Sequence, residues 1–201
     1  MTRKDDIRVR IGLAEDSGLL SELGRQTFFD SFAADNHPDD MAAYLDASFS
    51  REKLASELAD PSSLFLIAES DGEAAGYARL LQSPAPPCIQ ARRPIHLVRI
   101  YACRQWIGLG VGPALIKACI ATARNRQCDG IWLGVWNKNS RAFHFYRKWG
   151  FSRAGTQPFQ LGNDRQTDLI LWLPLNAPGQ SAHDRGGMTK TTEAIPGTAI
   201  K

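Results

Sequence analysis

The run from Ile95 to Trp136 constrains this chain most. Ile95 to Cys103 reads as an apolar strand, the turn Ile107-Gly108-Leu109-Gly110-Val111-Gly112 follows, and Val111 to Arg126 then carries helical spacing. Val111, Leu115, Cys119 and Ala123 share one face of that helix, and Ile131 to Trp136 reads as a second strand. Strand, helix and strand in this order make a βαβ unit, so the two strands are expected to run parallel. Glycines in the turn let the backbone approach an anion, and the free amides of the new helix point at it. Taken alone, the turn has other readings: a plain tight turn, or a dinucleotide fingerprint. The dinucleotide reading requires the turn to follow the first strand of the fold, with an acid roughly 20 residues on. Here it follows the fourth predicted strand, and Pro113-Ala114 stand where a phosphate-loop lysine would be.

The rest of the chain frames that unit. Ile7 to Leu13 alternates as a half-buried strand does, and a helix with Leu19, Leu20, Leu23, Phe28 and Phe32 on one side comes next. His37-Pro38-Asp39-Asp40 has the form of a helix start, and Ser50 caps another helix that Asp60-Pro61 ends. Leu64 to Ala68 and Ala75 to Leu81 read as strands joined at Asp71-Gly72, a hairpin signal. SPAPPCIQARRP is a loop, Asn139 to Trp149 a short helix stopped by Gly150, and two closing strands end at Leu173. Residues 1–176 therefore read as one domain. From 177 to 201 the small, polar, Gly- and Pro-rich composition predicts a disordered tail.

Composition excludes several classes. With 24 basic and 21 acidic side chains, a net charge of +3 and no dense basic run, nucleic acid is not an expected partner. No stretch approaches the roughly 18 apolar residues of a membrane span, and the N-terminus lacks an apolar leader, so a cytoplasmic protein is expected. Cys88, Cys103, Cys119 and Cys128 have neither CxxC nor Cys/His ligand spacing, which predicts reduced thiols and no metal site.

LVRIYACRQWIGLGVGPALI followed by WLGVWNKNSRAFHFYRKWGF resembles, in order and separation, the two signature segments of the GNAT acetyltransferase superfamily. The superfamily's glycines fall on Gly110 and Gly112. Asn139, Ala142, Phe145-Tyr146 and Gly150-Phe151 match its second pattern. One departure is Ile107, which stands where the family usually has Gln or Arg at the start of the loop. TFFDSFAADN, MAAYLDASF, LGVWNKN and FQLGNDRQTDLIL further resemble bacterial spermidine/spermine acetyltransferases of the PaiA type, a likeness that covers roughly residues 7 to 175.

The resemblance implies an α/β fold with a mixed, mostly antiparallel central sheet flanked by helices, and a central parallel pair of strands that splays to hold acetyl-CoA. It also implies an acetyl-CoA-dependent N-acetyltransferase that takes a small-molecule primary amine. Backbone groups of Ile100, Tyr101 and Ala102 would pair with the pantetheine arm, Ile107, Gly108, Leu109, Gly110, Val111 and Gly112 would cradle the pyrophosphate, and Asn139 would bond the arm. Asn139 reads also as a helix N-cap. Tyr146 is the residue that the family places beside the sulfur, as acid to the departing thiolate; on its own it reads as an aromatic core residue. For the base, His96 on the central strand has a suitable ordinary pKa, although a structural histidine fits the same pattern. Asp30 and Tyr44 are further candidates on the substrate side, and Asp30 reads also as an exposed helix acid. Direct attack in a ternary complex is expected, since Cys103 has no sequence partner that would activate it. Other acceptors (amino acids, antibiotics, protein N-termini), a non-catalytic acyl-CoA sensor and a homodimer all remain open at this stage.

Overall fold

Asp71 and Gly72 hold φ of 53° and 80°, the left-handed pair that a tight hairpin requires, and so join β2 (Ser63–Ser70) to β3 (Glu73–Leu81). The computed structural model describes residues 7–162 and 164–175, so the tail expected over 177–201 lies outside the described residues. Its sheet has seven strands in the order β1-β2-β3-β4-β5-β7-β6. β1 is Arg8–Ile11, β4 Pro94–Ala102, β5 Gly130–Trp136, β6 Ser152–Leu161 and β7 Asp164–Pro174. All neighbours pair antiparallel except β4 and β5, which are parallel, as the strand-helix-strand reading requires.

That parallel ladder is short. It joins only Pro94, Ile95 and His96 to Gly130, Ile131 and Trp132, after which the strands part. A bulge in β4 accompanies the parting: Leu80 faces Leu97 and Arg79 faces Arg99, so Val98 is left over. An extra residue bends a strand and increases its twist. Its effect is visible in the packing, because Ile95, Leu97 and Ile100 all join the same core across the phase slip.

Two layers of helix cover the sheet. On one face α4 (Val111–Asn125) and α5 (Ser140–Lys148) bury Val111, Leu115, Cys119, Ala123, Ala142 and Tyr146 against Ile100, Leu133, Val135 and Leu171. On the other face lie α1 (Ser17–Phe32), α2 (Pro38–Phe49) and α3 (Arg51–Ala59), whose Leu20, Phe28, Phe32, Leu45 and Leu54 pack on Tyr77, Tyr101, Trp136 and Phe159. His37 and Ser50 cap α2 and α3 through side chains that accept from Asp39 and Lys53 amides. Glu57 of α3 is buried and meets Arg79 at 2.8 Å and Arg99 at 2.5 Å, while the Arg99 guanidinium lies 4.9 Å from the Phe49 ring. Removing one partner of such a cluster would strand a buried charge, so it fixes α3 and the end of α2 over β3 and β4.

Candidate active site

Where β4 and β5 separate, a cleft of about 710 Å³ opens between the helical layers. Ile100, Tyr101 and Ala102 form its β4 edge and Trp136 its β5 edge; a short 3-10 turn at Arg104–Trp106 and the glycine turn close one end. Gly110 ends that turn at φ 103°, a left-handed value that side chains resist, and hands the chain to α4. Ala114 N–H donates to Gly110 carbonyl at 2.9 Å and Pro113 has no N–H, so Val111 and Gly112 are the amides that α4 directs outward at its positive end. Gly112 lies beside Phe145, whose ring a Cβ there would meet at an ordinary contact distance of 3.5 Å.

The expected site residues divide. Asp30, Ile100, Tyr101, Ala102, Ile107, Gly108, Gly110, Gly112, Asn139 and Tyr146 all line the cleft. Leu109 is 42% exposed and outside it, and Val111 has its side chain buried beneath α4. Tyr44 is also not at the cleft: it stacks on Phe28 at 4.5 Å and bonds Ser48. His96 departs furthest from the sequence expectation. It sits in the closed part of the parallel ladder, stacked on Trp132 with centroids 3.6 Å apart, and burial with Arg79 nearby pushes its pKa down to about 3. The structure thus places His96 outside the residues that line the cleft, in the closed part of the ladder, where burial favours the neutral imidazole.

Tyr146 is 1% exposed, packed by Phe145 and Phe151, and burial holds its pKa well above the ordinary phenol value. It is therefore a protonated hydroxyl at neutral pH. Asn139 caps α5, its Oδ1 accepting from the Ala142 amide at 3.0 Å. The cleft walls differ in charge: Asp30 and Asp35 face it from the end of α1 and the turn after it, whereas Lys138 and Arg141 face it from around the start of α5. Trp106, Trp136, Lys138 and Arg141 were not singled out in the sequence, because each belongs to a turn, strand end or helix start whose direction depends on the splay. Asp168 on β7 was also missed, and the available signal was a lone acid in the apolar run Asp168-Leu-Ile-Leu-Trp-Leu. Among the described residues no group of three or more His, Cys, Asp or Glu could hold a metal ion, and no helix is long and apolar enough to cross a membrane.

A split parallel pair, outward amides at a helix start and a buried phenol thus meet in one cleft. The sequence matches the Acetyltransferase (GNAT) family over residues 25–151, and the chain belongs to that family. It is 36% identical over 149 residues to an uncharacterized N-acetyltransferase of Lactobacillus delbrueckii subsp. lactis, covering 74% of this chain and 86% of the relative. An uncharacterized N-acetyltransferase of Mycobacterium tuberculosis is 32% identical over 156 residues, or 78% of this chain and 96% of the relative. Among solved structures, the PaiA N-acetyltransferase of Thermoplasma acidophilum in complex with coenzyme A has the same fold, with a TM-score of 0.67, 22% identity, and coverage of 84% of this chain and 98% of that one. The protein is an acetyl-CoA-dependent N-acetyltransferase.

Proposed function

We propose that this enzyme acetylates a polyamine such as spermidine or spermine, by direct attack with both substrates in the cleft. The observation that carries the proposal is the charge of the two walls. Lys138, Arg141 and the outward amides of α4 favour phosphates on one side, and the carboxylates of Asp30 and Asp35 favour cations on the other. A polycation gains from such a rim, since carboxylates hold the distal ammoniums while one nitrogen enters the drier interior. The PaiA-like segments of the sequence point to the same acceptor class.

Acetyl-CoA brings an acetyl thioester. Ile100 to Ala102 align it by offering strand-like backbone groups, and an N–H there meets negative charge developing on the carbonyl oxygen. Asn139, already fixed as a cap, orients the arm. Tyr146 supplies a proton to the departing sulfur, a role suited to a phenol that burial keeps protonated. With this phenol at the cleft, catalysis is a better reading than an acyl-CoA sensor. The four free cysteines fit a cytoplasmic enzyme.

Steady-state kinetics at two salt concentrations test the acceptor. Spermidine should surpass butylamine in kcat/KM by at least tenfold at low salt, and the advantage should shrink as salt screens the rim. Asp30→Asn and Asp35→Asn should each raise the KM for spermidine several-fold and leave that for butylamine unchanged. Equal kcat/KM for the two amines would end the polyamine reading.

A further inference from the structure

At the open end of β5, Trp136 pairs across the ladder with Asp168 of β7. Direct antiparallel partners carry their side chains on the same face, with Cβ atoms about 5 Å apart. Asp168 therefore stands beside the indole that forms one edge of the cleft, on the face covered by α1 and α2. It is 0% exposed, and neither carboxylate oxygen has a hydrogen-bond partner among the described residues. Native proteins seldom leave a buried carboxyl without a donor, and at the edge of a site a proton-transfer role is one physical reason for keeping it so.

The surroundings bear on that role. From α2 comes Tyr44, whose charge interaction with Asp168 marks it as a near neighbour, and from β6 the ladder partner is Gln157. On β5 the neighbour is Trp136, whose ring lies 5.4 Å from Lys138 Nζ and so already receives a cation. Arg99 of β4 and Glu57 of α3 also act on Tyr44, and Arg99 is held by Glu57, which it shares with Arg79. Among the described residues no cation forms a salt bridge with Asp168. Asp168 itself does not line the cleft, but its ladder partner Trp136 does, so the carboxyl lies one side chain behind the cleft wall at the end where β4 and β5 have parted.

We infer that Asp168 is the proton acceptor for the incoming amine, since it lies at the open end of the sheet and His96 at the closed one. The inference rests on the N-acetyltransferase reading of the cleft and not on the polyamine in particular. The ammonium gives one proton to the Asp168 carboxylate and becomes a nucleophile. As the C–N bond forms and the C–S bond breaks, the thiolate takes the Tyr146 proton and the surplus proton on nitrogen restores the phenol. Asp168 then releases its proton to solvent. Burial pushes its pKa up to about 7, which suits a group that must accept a proton and give it up again near neutrality.

Asp168→Asn keeps the shape and removes the proton acceptor. With spermidine, butylamine and an alanyl peptide as acceptors, kcat/KM of the variant at pH 8 should fall on the order of 10²-fold or more for every amine the parent acetylates. The rising limb of the parent's pH profile near 7 should disappear, while the Kd for acetyl-CoA by calorimetry stays the same. Asp168→Glu should recover part of the rate and restore the limb, which a purely structural carboxyl would not do. If Asp168→Asn keeps the parent's rate and pH profile, the assignment is overturned although the N-acetyltransferase stands. If spermidine alone loses its advantage over butylamine in the parent, the polyamine reading fails and Asp168 does not. A parent that acetylates none of the three amines overturns both.

Discussion

β5 has a tryptophan near each end, and each stands beside a buried titratable residue on a neighbouring strand: Trp132 beside His96, and Trp136 beside Asp168. Burial acts on both residues in the same way, by disfavouring charge. It drives the histidine down to about 3 and the aspartate up to about 7. Their positions make the difference. His96 lies where β4 and β5 still share a ladder, under a ring stacked at 3.6 Å, whereas Asp168 lies where the strands have parted and Trp136 faces a cleft. Desolvation can thus disable a base or tune one, and the opening of the sheet decides which.

The largest effect that tests this contrast is at Tyr146, also at the open end. Tyr146→Phe keeps the packing against Phe145 and Phe151 and should lower kcat on the order of 10²-fold or more, with acetyl-CoA affinity unchanged by calorimetry. Turnover equal to the parent would return Tyr146 to the core. A smaller loss is expected at Gly110→Val, where a β-branched side chain must adopt φ 103°. Strain of about 1–3 kcal/mol should weaken acetyl-CoA binding roughly tenfold to a hundredfold, measured by titration of the folded variant.

The closed end should respond in stability and not in rate. His96→Phe, which keeps a ring over Trp132, should leave kcat/KM within about twofold of the parent; a lost pH limb in this variant would break the comparison. Denaturant titrations across pH sharpen it. The His96 pKa is lower folded than unfolded, so its contribution is whole above 6.5 and is lost as pH falls toward about 3. Asp168 has the opposite sign: its pKa rises from 3.8 to about 7 on folding, so its contribution is whole below 3.8 and is lost as pH rises toward 7. Between those limits the two slopes oppose each other in the parent. Asp168→Asn should expose stability that climbs with pH, and His96→Phe stability that falls with it, each by a few kcal/mol across its window on the order set by one pKa unit being about 1.4 kcal/mol. Parallel slopes in the two variants would mean that one of the groups is not buried as drawn.

Local chemistry explains what could be read in the sequence. The βαβ unit, the Asp71-Gly72 hairpin and the His37 and Ser50 caps each depend on residues close together in the chain, and each stands in the structure. β4 ends at Ala102 and not Cys103, whose amide instead bonds the Ala75 carbonyl at 2.9 Å. What escaped was long-range. The Glu57 cluster joins α3 to two strands, and no local pattern announces that Arg79 and Arg99 are buried. The placing of His96 has the same origin: alternation puts it on β4, but that the parallel ladder still covers it, stacked on Trp132, depends on pairing with a strand 36 residues further on. Asp168 looks like a solvent-facing acid until Trp136, Tyr44 and Gln157 are brought around it.

The three-residue ladder between β4 and β5 has a further consequence. An ordinary sheet has unpaired backbone only along its two outer margins, yet this one has a second pair of margins within it, from Leu97 to Ala102 and from Leu133 to Trp136. Exposed strand margins recruit other strands and are a common start for misassembly. Here the gap is recessed between helices, which bars another chain but admits a thin, amide-bearing arm. On the proposed reading the substrate's arm would serve as the missing strand, so that binding acetyl-CoA would also stabilise the fold at its weakest margin.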